Sequence, residues 1–150
     1  MNEILIRSAT LDDIPDMLPL MAQLGYPCTQ HEFETRFTSF MALEGYGVTV
    51  ATLSNLIVGW IAWSSSRQFL ADGPRIHIEG LIVDAQYRKK GVGKKLMTYV
   101  ENGAKNNPPV LIDLISGIRR APDGTHDFYK SLGYTNEGPM AEIYLRKEIF

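Results

Sequence analysis

The sequence predicts an α/β fold with a pair of parallel strands near the middle of the chain. The main observation is the stretch from Ile78 to Leu96, where an apolar strand leads through a glycine-rich basic turn into an amphipathic helix. A second apolar strand, Pro108 to Ser116, follows this helix. A strand, helix and strand in this order imply a right-handed crossover between parallel strands. An antiparallel hairpin is predicted ahead of this unit.

The first strand and helix are predicted from alternation and capping. Residues Ile4 to Ala9 alternate as a strand, and Thr10 with Asp13 has the pattern of a capping box. The helix that follows carries an apolar stripe at helical spacing, formed by Leu11, Ile14, Leu18 and Met21.

The second helix begins after a break at residues 25–27, which read Gly-Tyr-Pro. Thr29 with Glu32 forms another capping box. We expect the aromatic face of this helix to line the core or a substrate pocket; it consists of Phe33, Phe37, Phe40 and Met41.

Tyr46 to Leu53 and Leu56 to Ser65 are rich in residues that favour strands, and they flank a tight turn at Ser54 and Asn55. They are predicted to form the hairpin. A turn-rich connection then leads into the central strand, Arg75 to Val83.

A short helix is predicted near the C-terminus, capped by Asp123 or Thr125 and ended by Gly133. Tyr134 to Asn136 with Glu142 to Glu148 is expected to close the sheet as an antiparallel pair.

The turn after the central strand has residue types that hold phosphate. Arg88, Gly91 and Gly93 stand as R-x-x-G-x-G. Glycines leave room for a ligand, backbone amides converge on an anion, and the helix adds the positive end of its dipole. The turn lacks the G-x-G-x-x-G of dinucleotide binders and the GK[ST] ending of a P-loop. The motif therefore predicts a phosphate site of another kind.

Charge is distributed unevenly along the chain, although its net value is only -2. Residues 1–44 carry seven acids against two bases, whereas residues 85–120 carry eight bases against two acids. The basic cluster suits a ligand with several phosphates, and a solvated helix face is the alternative. Nucleic acid is a poorer fit, because the pI is 5.9 and no aromatic residues interleave with the bases. The cluster comprises Arg88, Lys89, Lys90, Lys94, Lys95, Lys105, Arg119 and Arg120.

The length of 150 residues and the hydrophobic content of 45% fit a single domain over residues 1–150. No apolar run approaches the roughly 18 to 20 residues of a membrane span, and the start lacks the apolar core of a secretory signal. We therefore expect a cytoplasmic protein without a membrane partner. Cys28 is the only cysteine, and no group of residues has metal-ligand spacing, so no metal is expected.

The turn resembles the acyl-CoA pyrophosphate loop of the GNAT superfamily of N-acetyltransferases, which reads [QR]-x-x-G-x-[GA] between a central strand and a long helix. Arg88 to Gly93 match it at every specified position. His126 to Tyr134, HDFYKSLGY, resembles the family's FYxxLGF helix and strand. The order of elements also fits over nearly the whole chain, and fits least in the first 45 residues.

This resemblance implies a GNAT-like α/β (α+β) fold. The sheet would be mixed and mostly antiparallel, with a splayed central pair of parallel strands and helices on both faces. It also implies transfer of an acetyl group from acetyl-CoA, the cosubstrate, to a primary amine that attacks directly in a ternary complex.

The resemblance also assigns the residues that hold acetyl-CoA. The turn amides would take the pyrophosphate, and the edge of the central strand would pair with pantetheine and supply an oxyanion donor. An aromatic residue of the second motif would lie beside the pantetheine arm. The implied binding residues are Leu81, Ile82, Val83, Arg88, Lys89, Lys90, Gly91, Val92, Gly93, Lys94 and Phe128.

Two residues are candidates for proton transfer. At pH 7, deprotonating a lysine-like amine costs roughly 4 to 5 kcal/mol, so a general base helps. Glu79 of the central strand is the candidate base, and burial between sheet and pocket would raise its proton affinity; a structural partnership with a backbone group or an arginine is the alternative. Tyr129 matches the family's usual tyrosine and would protonate the leaving thiolate, unless Phe128 and Tyr129 are packed aromatics only.

Other functions stay open from sequence alone. The same fold could bind acyl-CoA as a non-catalytic sensor or interaction module, or it could acetylate oxygen or transfer a longer acyl chain. The acceptor could be a small amine, an aminoglycoside or polyamine, or a protein amine. Acids of the first two helices would favour a cationic acceptor if they face it. A homodimer could use the strand with Trp60 and Trp63, or the tail ending in Ile149 and Phe150.

Overall fold

The structure is a computed structural model that describes residues 2–106, 110–117 and 122–150. These residues divide into two compact units, Met1–Ile112 and Asp113–Phe150. The strands are β1 (Ile4–Ser8), β2 (Gly47–Leu53), β3 (Leu56–Arg67), β4 (Pro74–Val83) and β5 (Leu111–Leu114). The helices are α1 (Ile14–Leu24), α2 (Gln30–Met41), α3 (Val92–Ala104) and α4 (Thr125–Ser131).

The five strands form one sheet in the order β1-β2-β3-β4-β5. Successive strands from β1 to β4 pair antiparallel, whereas β4 and β5 are parallel. The mixed, mostly antiparallel fold predicted from the sequence is therefore confirmed. Within the described part of the chain the parallel pair lies at one end of the sheet, not at its centre.

The hairpin of β2 and β3 follows the sequence prediction closely. Ser54 and Asn55 have φ angles of 49° and 66°, so both adopt the left-handed conformation that a two-residue type I′ turn requires. Asparagine tolerates this conformation better than most residues. The predicted strand Pro108 to Ser116 is observed as the shorter β5, and residues 107–109 lie outside the described residues, as do Arg119 and Arg120.

Helices cover both faces of the sheet in the first unit. On one face, Trp60 and Ile82 join a buried cluster with Met17 of α1 and Phe37 of α2. Burying side chains of this size stabilises the fold by about 1.5 to 3 kcal/mol each. On the other face, α3 buries Val92, Leu96, Met97 and Val100.

Trp60 does not form a surface for a second copy of the chain. Its side chain is 5% exposed and packs in the core, so the expectation that it lines a dimer interface is wrong. Trp63 is half-buried, and its ring lies 6.3 Å from the ring of Tyr99 on α3. The C-terminal residues Ile149 and Phe150 are exposed.

The predicted closing strand pair is wrong. Residues 134–136 and 142–148 form no strand. Instead, the Asn136 side chain accepts from the Glu142 amide at 2.6 Å and donates to the Glu142 carbonyl at 2.9 Å. Side-chain bonds of this kind compete with strand pairing. Ile143 is 85% exposed, so the apolar alternation that predicted a strand is not buried here.

The short helix α4 is also capped differently from the prediction. Its N-cap is Gly124 with φ of 75°, and neither Asp123 nor Thr125 supplies a capping bond. The predicted stop at Gly133 is confirmed, because Gly133 has φ of 93° and the Tyr134 amide donates to the Tyr129 carbonyl at 3.1 Å.

Among the described residues, no helix has both the length and the apolar character needed to cross a membrane. That same part of the chain holds no group of three metal-ligating side chains.

Candidate active site

The basic turn folds back onto the end of β4. The Asp84 carboxylate accepts the Gln86 amide at 2.9 Å, which fixes a single 3-10 turn directly after the strand. Arg88 then reaches back, and its Nε donates to the Val83 carbonyl at 3.3 Å. The motif arginine therefore ties the turn to the strand end.

Two residues of the turn adopt the left-handed conformation. Lys89 has φ of 61°, which is uncommon for a residue with a side chain and costs about 1 kcal/mol or more. Gly91 has φ of 86°, and a Cβ added there would meet nothing within 4 Å. Glycine is therefore favoured at position 91 by its conformation, and the space beside it is open to a ligand.

Helix α3 begins with its amides open. The N-cap Gly91 has no side chain to accept from them, and the first turn contains no acid. The Lys95 amide donates to the Gly91 carbonyl at 3.0 Å, so the amides of Val92, Gly93 and Lys94 precede the first helical bond. Such a helix start binds anions, because its amides and its dipole both point at the ligand.

On the edge of β4 that faces away from β3, only every second backbone amide points outward. The Asp84 amide donates to the Val58 carbonyl of β3 at 2.8 Å. Since hydrogen bonding alternates along an antiparallel strand, the Ile82 amide also faces β3, whereas those of Leu81 and Val83 face the other edge. β5 has four residues and β4 has ten, so β5 can pair with only part of that edge. Leu81 and Val83 are thus the better placed of the three predicted backbone donors.

Glu79 occupies a β-bulge. Ala62 pairs with Gly80 and Trp63 pairs with Ile78, which leaves Glu79 as the extra residue of β4. Bulges redirect side chains and are common beside active sites.

The bulge changes the direction in which β4 side chains point. Trp63 contacts Tyr99 of α3, so Ile78 opposite it lies on the α3 face. A Cβ at Gly80 would lie 3.1 Å from the Trp60 ring and 3.7 Å from Leu24 of α1, so position 80 lies on the α1 face. Residues two apart in a regular strand would share one face.

The Glu79 carboxylate is held by a serine and open to solvent. Ser64 Oγ donates to Glu79 Oε1 at 2.6 Å. Glu79 is exposed, so it is not buried between the sheet and a pocket. Ser64 itself was not singled out from the sequence, where it is one of three successive serines with no distinguishing pattern.

The second unit carries the other motif. Tyr129 and Phe128 lie on α4 with ring centroids 5.2 Å apart, and the Tyr129 ring is 6.2 Å from that of Tyr134. Both Phe128 and Tyr129 are half-buried. His126 Nε2 contacts the Gly117 carbonyl at 3.1 Å, a contact that the ring N–H donates. Tyr129 thus lies in an aromatic cluster of its own unit.

The acids of the first two helices are partly engaged by structural partners. Asp13 accepts two bonds of 2.7 Å from Arg7, and this ion pair holds the pKa of Asp13 below its usual value. The Thr29 amide donates to Glu32 at 2.8 Å and lowers the pKa of that carboxyl. Both capping boxes predicted from the sequence are present. Asp13 and Glu32 therefore have structural partners within the fold.

Residues 15–143 match the family model described as an acetyltransferase (GNAT) domain. The chain belongs to the GNAT acetyltransferase family. It is an acetyl-CoA-dependent acyltransferase with acetyl-CoA as its cosubstrate. The open start of α3 and the space beside Gly91 fit the pyrophosphate of that cosubstrate.

One curated protein is similar to this GNAT chain in sequence, and several solved structures are similar to it in fold. The uncharacterized N-acetyltransferase YhdJ of Bacillus subtilis (strain 168) is 26% identical over 120 residues, which are 79% of this chain and 82% of YhdJ. A GNAT family acetyltransferase of Staphylococcus aureus has a TM-score of 0.79 at 21% identity, covering 99% of this chain and 100% of its own. The aminoglycoside N-acetyltransferase AAC(6')-Iy, solved with CoA, has a TM-score of 0.80 at 16% identity, covering 99% and 97%.

Proposed function

We propose that this protein is an N-acetyltransferase that transfers the acetyl group of acetyl-CoA directly to a primary amine in a ternary complex. The observation that carries the proposal is Glu79, an exposed carboxylate that a bulge and Ser64 hold on β4, the strand that leads into the phosphate-binding turn. A carboxylate in this place can take a proton from an incoming ammonium group. The proposed base therefore lies on β4, and the basic turn directly follows the same strand.

The amine must lose a proton before its lone pair attacks the thioester carbon. Without help this deprotonation costs roughly 4 to 5 kcal/mol at pH 7. We assign the proton to Glu79, and the hydrogen bond from Ser64 occupies one carboxylate oxygen and orients the other. The new carbon–nitrogen bond then forms and the carbon–sulfur bond breaks. The nitrogen also releases a second proton, which balances the proton that the departing thiolate takes up.

Backbone amides stabilise the charge that develops on the carbonyl oxygen. The Leu81 and Val83 amides are the candidates, because alternation points them away from β3. The pyrophosphate is held by the amides from Lys89 to Lys94, and the side chain of Arg88 keeps the turn against Val83.

Tyr129 is our candidate for the acid that protonates the departing thiolate. Its support is the match of residues 126–134 to the family's second motif. A phenol with a pKa of about 10 can donate to a thiolate whose parent thiol has a pKa of about 8.5 if the two are in contact.

Thiol release from acetyl-CoA over a panel of small amines and short peptides tests this function. We expect release above hydrolysis with at least one amine, and a loss of at least about tenfold in turnover for Glu79→Gln and for Tyr129→Phe. Glu3→Gln is the matched control, because Glu3 is an exposed carboxylate directly before β1, which lies at the other end of the sheet from β4 and β5. Tight acetyl-CoA binding without release from any amine would instead favour the sensor.

A homodimer remains a prediction, with the exposed C-terminal tail as its candidate surface. Light scattering of the full chain beside one lacking residues 143–150 tests it. A full chain that stays monomeric at high concentration would contradict it.

A further inference from the structure

The hairpin face that carries Glu79 continues as a polar strip. The register pairs Ser64 with His77 and Ser66 with Arg75. Residues directly opposite one another in antiparallel strands project to the same face, as do residues two apart in one strand. These four residues therefore share a face, and the hydrogen bond from Ser64 adds the Glu79 carboxylate to it.

This polar strip emerges from beneath α1 and α2. Trp60 and Ala62 precede Ser64 on the same face of β3. Trp60 belongs to the core cluster beneath those helices, and Ala62 packs against it. From Ser64 onward the same face is polar, and Ser66 is exposed. A ligand can therefore lie along the polar strip beside the helices.

Opposite charges lie at the two ends of the polar strip. Arg75 Nη2 is 3.3 Å from His77 Nδ1. A guanidinium only donates, so His77 Nδ1 is the acceptor in this contact. The contact turns the Arg75 side chain along the strand toward Glu79. His77 precedes Glu79 by two residues, which corresponds to about 6 to 7 Å along a strand.

We propose that the polar strip selects acceptor amines that also carry an anionic group, a carboxylate or a phosphate, about 6 to 7 Å from the amine. This inference rests on the proposed N-acetyltransferase function. The ammonium group binds at Glu79, and the anion binds at Arg75, whose planar fork matches the oxygens of either group. A polyamine would place a second cation beside Arg75 and is selected against.

Matched acceptors test the selection. The anionic compounds are 5-aminopentanoate and 3-aminopropyl phosphate, their neutral partners are 5-aminopentan-1-ol and 3-aminopropan-1-ol, and 1,5-diaminopentane is the dication. We expect at least one anionic compound to exceed its neutral partner in kcat/KM by about tenfold or more. Comparing the two pairs shows whether carboxylate or phosphate is preferred.

Arg75→Gln should bring the anionic-to-neutral ratio of kcat/KM close to one. Because both acceptors are measured on the same preparation, partial loss of folded protein cancels in the ratio. Arg67→Gln is the matched control. Arg67 follows Trp63 by four residues and so shares its face of β3, which is opposite to the face of the polar strip. The control should keep the wild-type ratio.

A wild-type ratio near one for both pairs, or an Arg75→Gln protein that keeps the wild-type ratio, would overturn the inference while leaving acetyl transfer established. If no acceptor is acetylated, calorimetry on the CoA-saturated protein decides. Tighter binding of an anionic compound than of its neutral partner, lost in Arg75→Gln, supports the polar strip although these compounds are not acetylated. Equal or undetectable binding overturns the inference, whereas the proposed transfer is decided by the separate panel of small amines and short peptides.

Discussion

Two kinds of helix start occur in the first unit, and they differ at the same two positions. The starts at residues 11 and 30 have threonine at the N-cap and an acid three residues later, Thr10 with Asp13 and Thr29 with Glu32. The start of α3 has Gly91 at the N-cap and Lys94 three residues later.

The difference explains why we propose the start of α3, and not the other two starts, as the anion site. In the acidic starts, the chain's own side chains satisfy backbone amides and place negative charge at the positive end of the dipole. In α3 both side chains are replaced by types that do neither. These side chains therefore leave the amides and the field of α3 to an anion, and we propose that this anion is the pyrophosphate of acetyl-CoA.

Gly91→Glu should have the largest effect on the start of α3, because it gives this start a carboxylate like those of the two acidic starts. The variant places a carboxylate at the anion site and a side chain at φ of 86°. We expect calorimetric affinity for acetyl-CoA to fall by at least about 100-fold, equivalent to about 2.7 kcal/mol. Gly103→Glu is the control, because it adds the same charge near the other end of α3, where a Cβ meets nothing within 4 Å. Undiminished affinity in Gly91→Glu would remove the turn from the site.

Lys94→Glu gives α3 the acid that the other two starts have. The added carboxylate can fold back onto the Gly91 amide and opposes the pyrophosphate charge. Acetyl-CoA affinity should fall by about tenfold, with the free energy of unfolding unchanged or raised. Lys105→Glu, just beyond the end of the same helix, controls for net charge. A Lys94→Glu protein with wild-type affinity would show that an acid at this position does not close the site.

Asp13→Asn tests an acidic start by pH. Arg7 lowers the pKa of Asp13 below its ordinary value of 3.8, so the carboxylate contributes stability above that pH. The contribution is lost as pH falls from about 5 through the lowered folded pKa. Because Arg7 is 48% exposed, we expect the free energy of unfolding of the variant to be only about 1 to 2 kcal/mol lower at pH 7. In chemical denaturation, this free energy should fall less steeply below about pH 5 in the variant than in the wild type. If the free energies of unfolding of the wild type and the variant fall in parallel below about pH 5, the stabilising role of the Asp13 carboxylate is contradicted.

Thr29→Ala should have the smallest effect. Loss of the hydroxyl that accepts at the start of α2 should lower the free energy of unfolding by about 1 kcal/mol. Affinity for acetyl-CoA should not change, because this start serves the fold only. Thr29→Ser keeps the hydroxyl and should retain stability. A weaker affinity in Thr29→Ala would mean that the two kinds of start are not independent.

Features predicted correctly from the sequence depend on residues close together in the chain. Both capping boxes, the turn at Ser54 and Asn55, and the glycine turn before α3 lie where they were predicted. Each is fixed by contacts within a few residues, so local sequence carries enough information. The GNAT family assignment rests on such a motif and is confirmed over residues 15–143.

Features that were missed depend on strand pairing and burial. Trp60 looked like a surface tryptophan in sequence, and only the packing of α1 over the sheet buries it. The closing strands had apolar alternation, but alternation does not supply a partner strand. Ser64 became recognisable only when the register brought its hydroxyl to Glu79.

By itself, the sequence determined the fold class, the family and the glycine-rich turn to which we assign the phosphates of acetyl-CoA. The tertiary structure decided the direction of Glu79, its exposure and its neighbours Ser64, His77 and Arg75 along one face. The physical reason is the two-residue period of a strand. A bulge of one residue reverses which side chains face each side of the sheet, and its position is set by pairing with residues some 15 positions away in the chain.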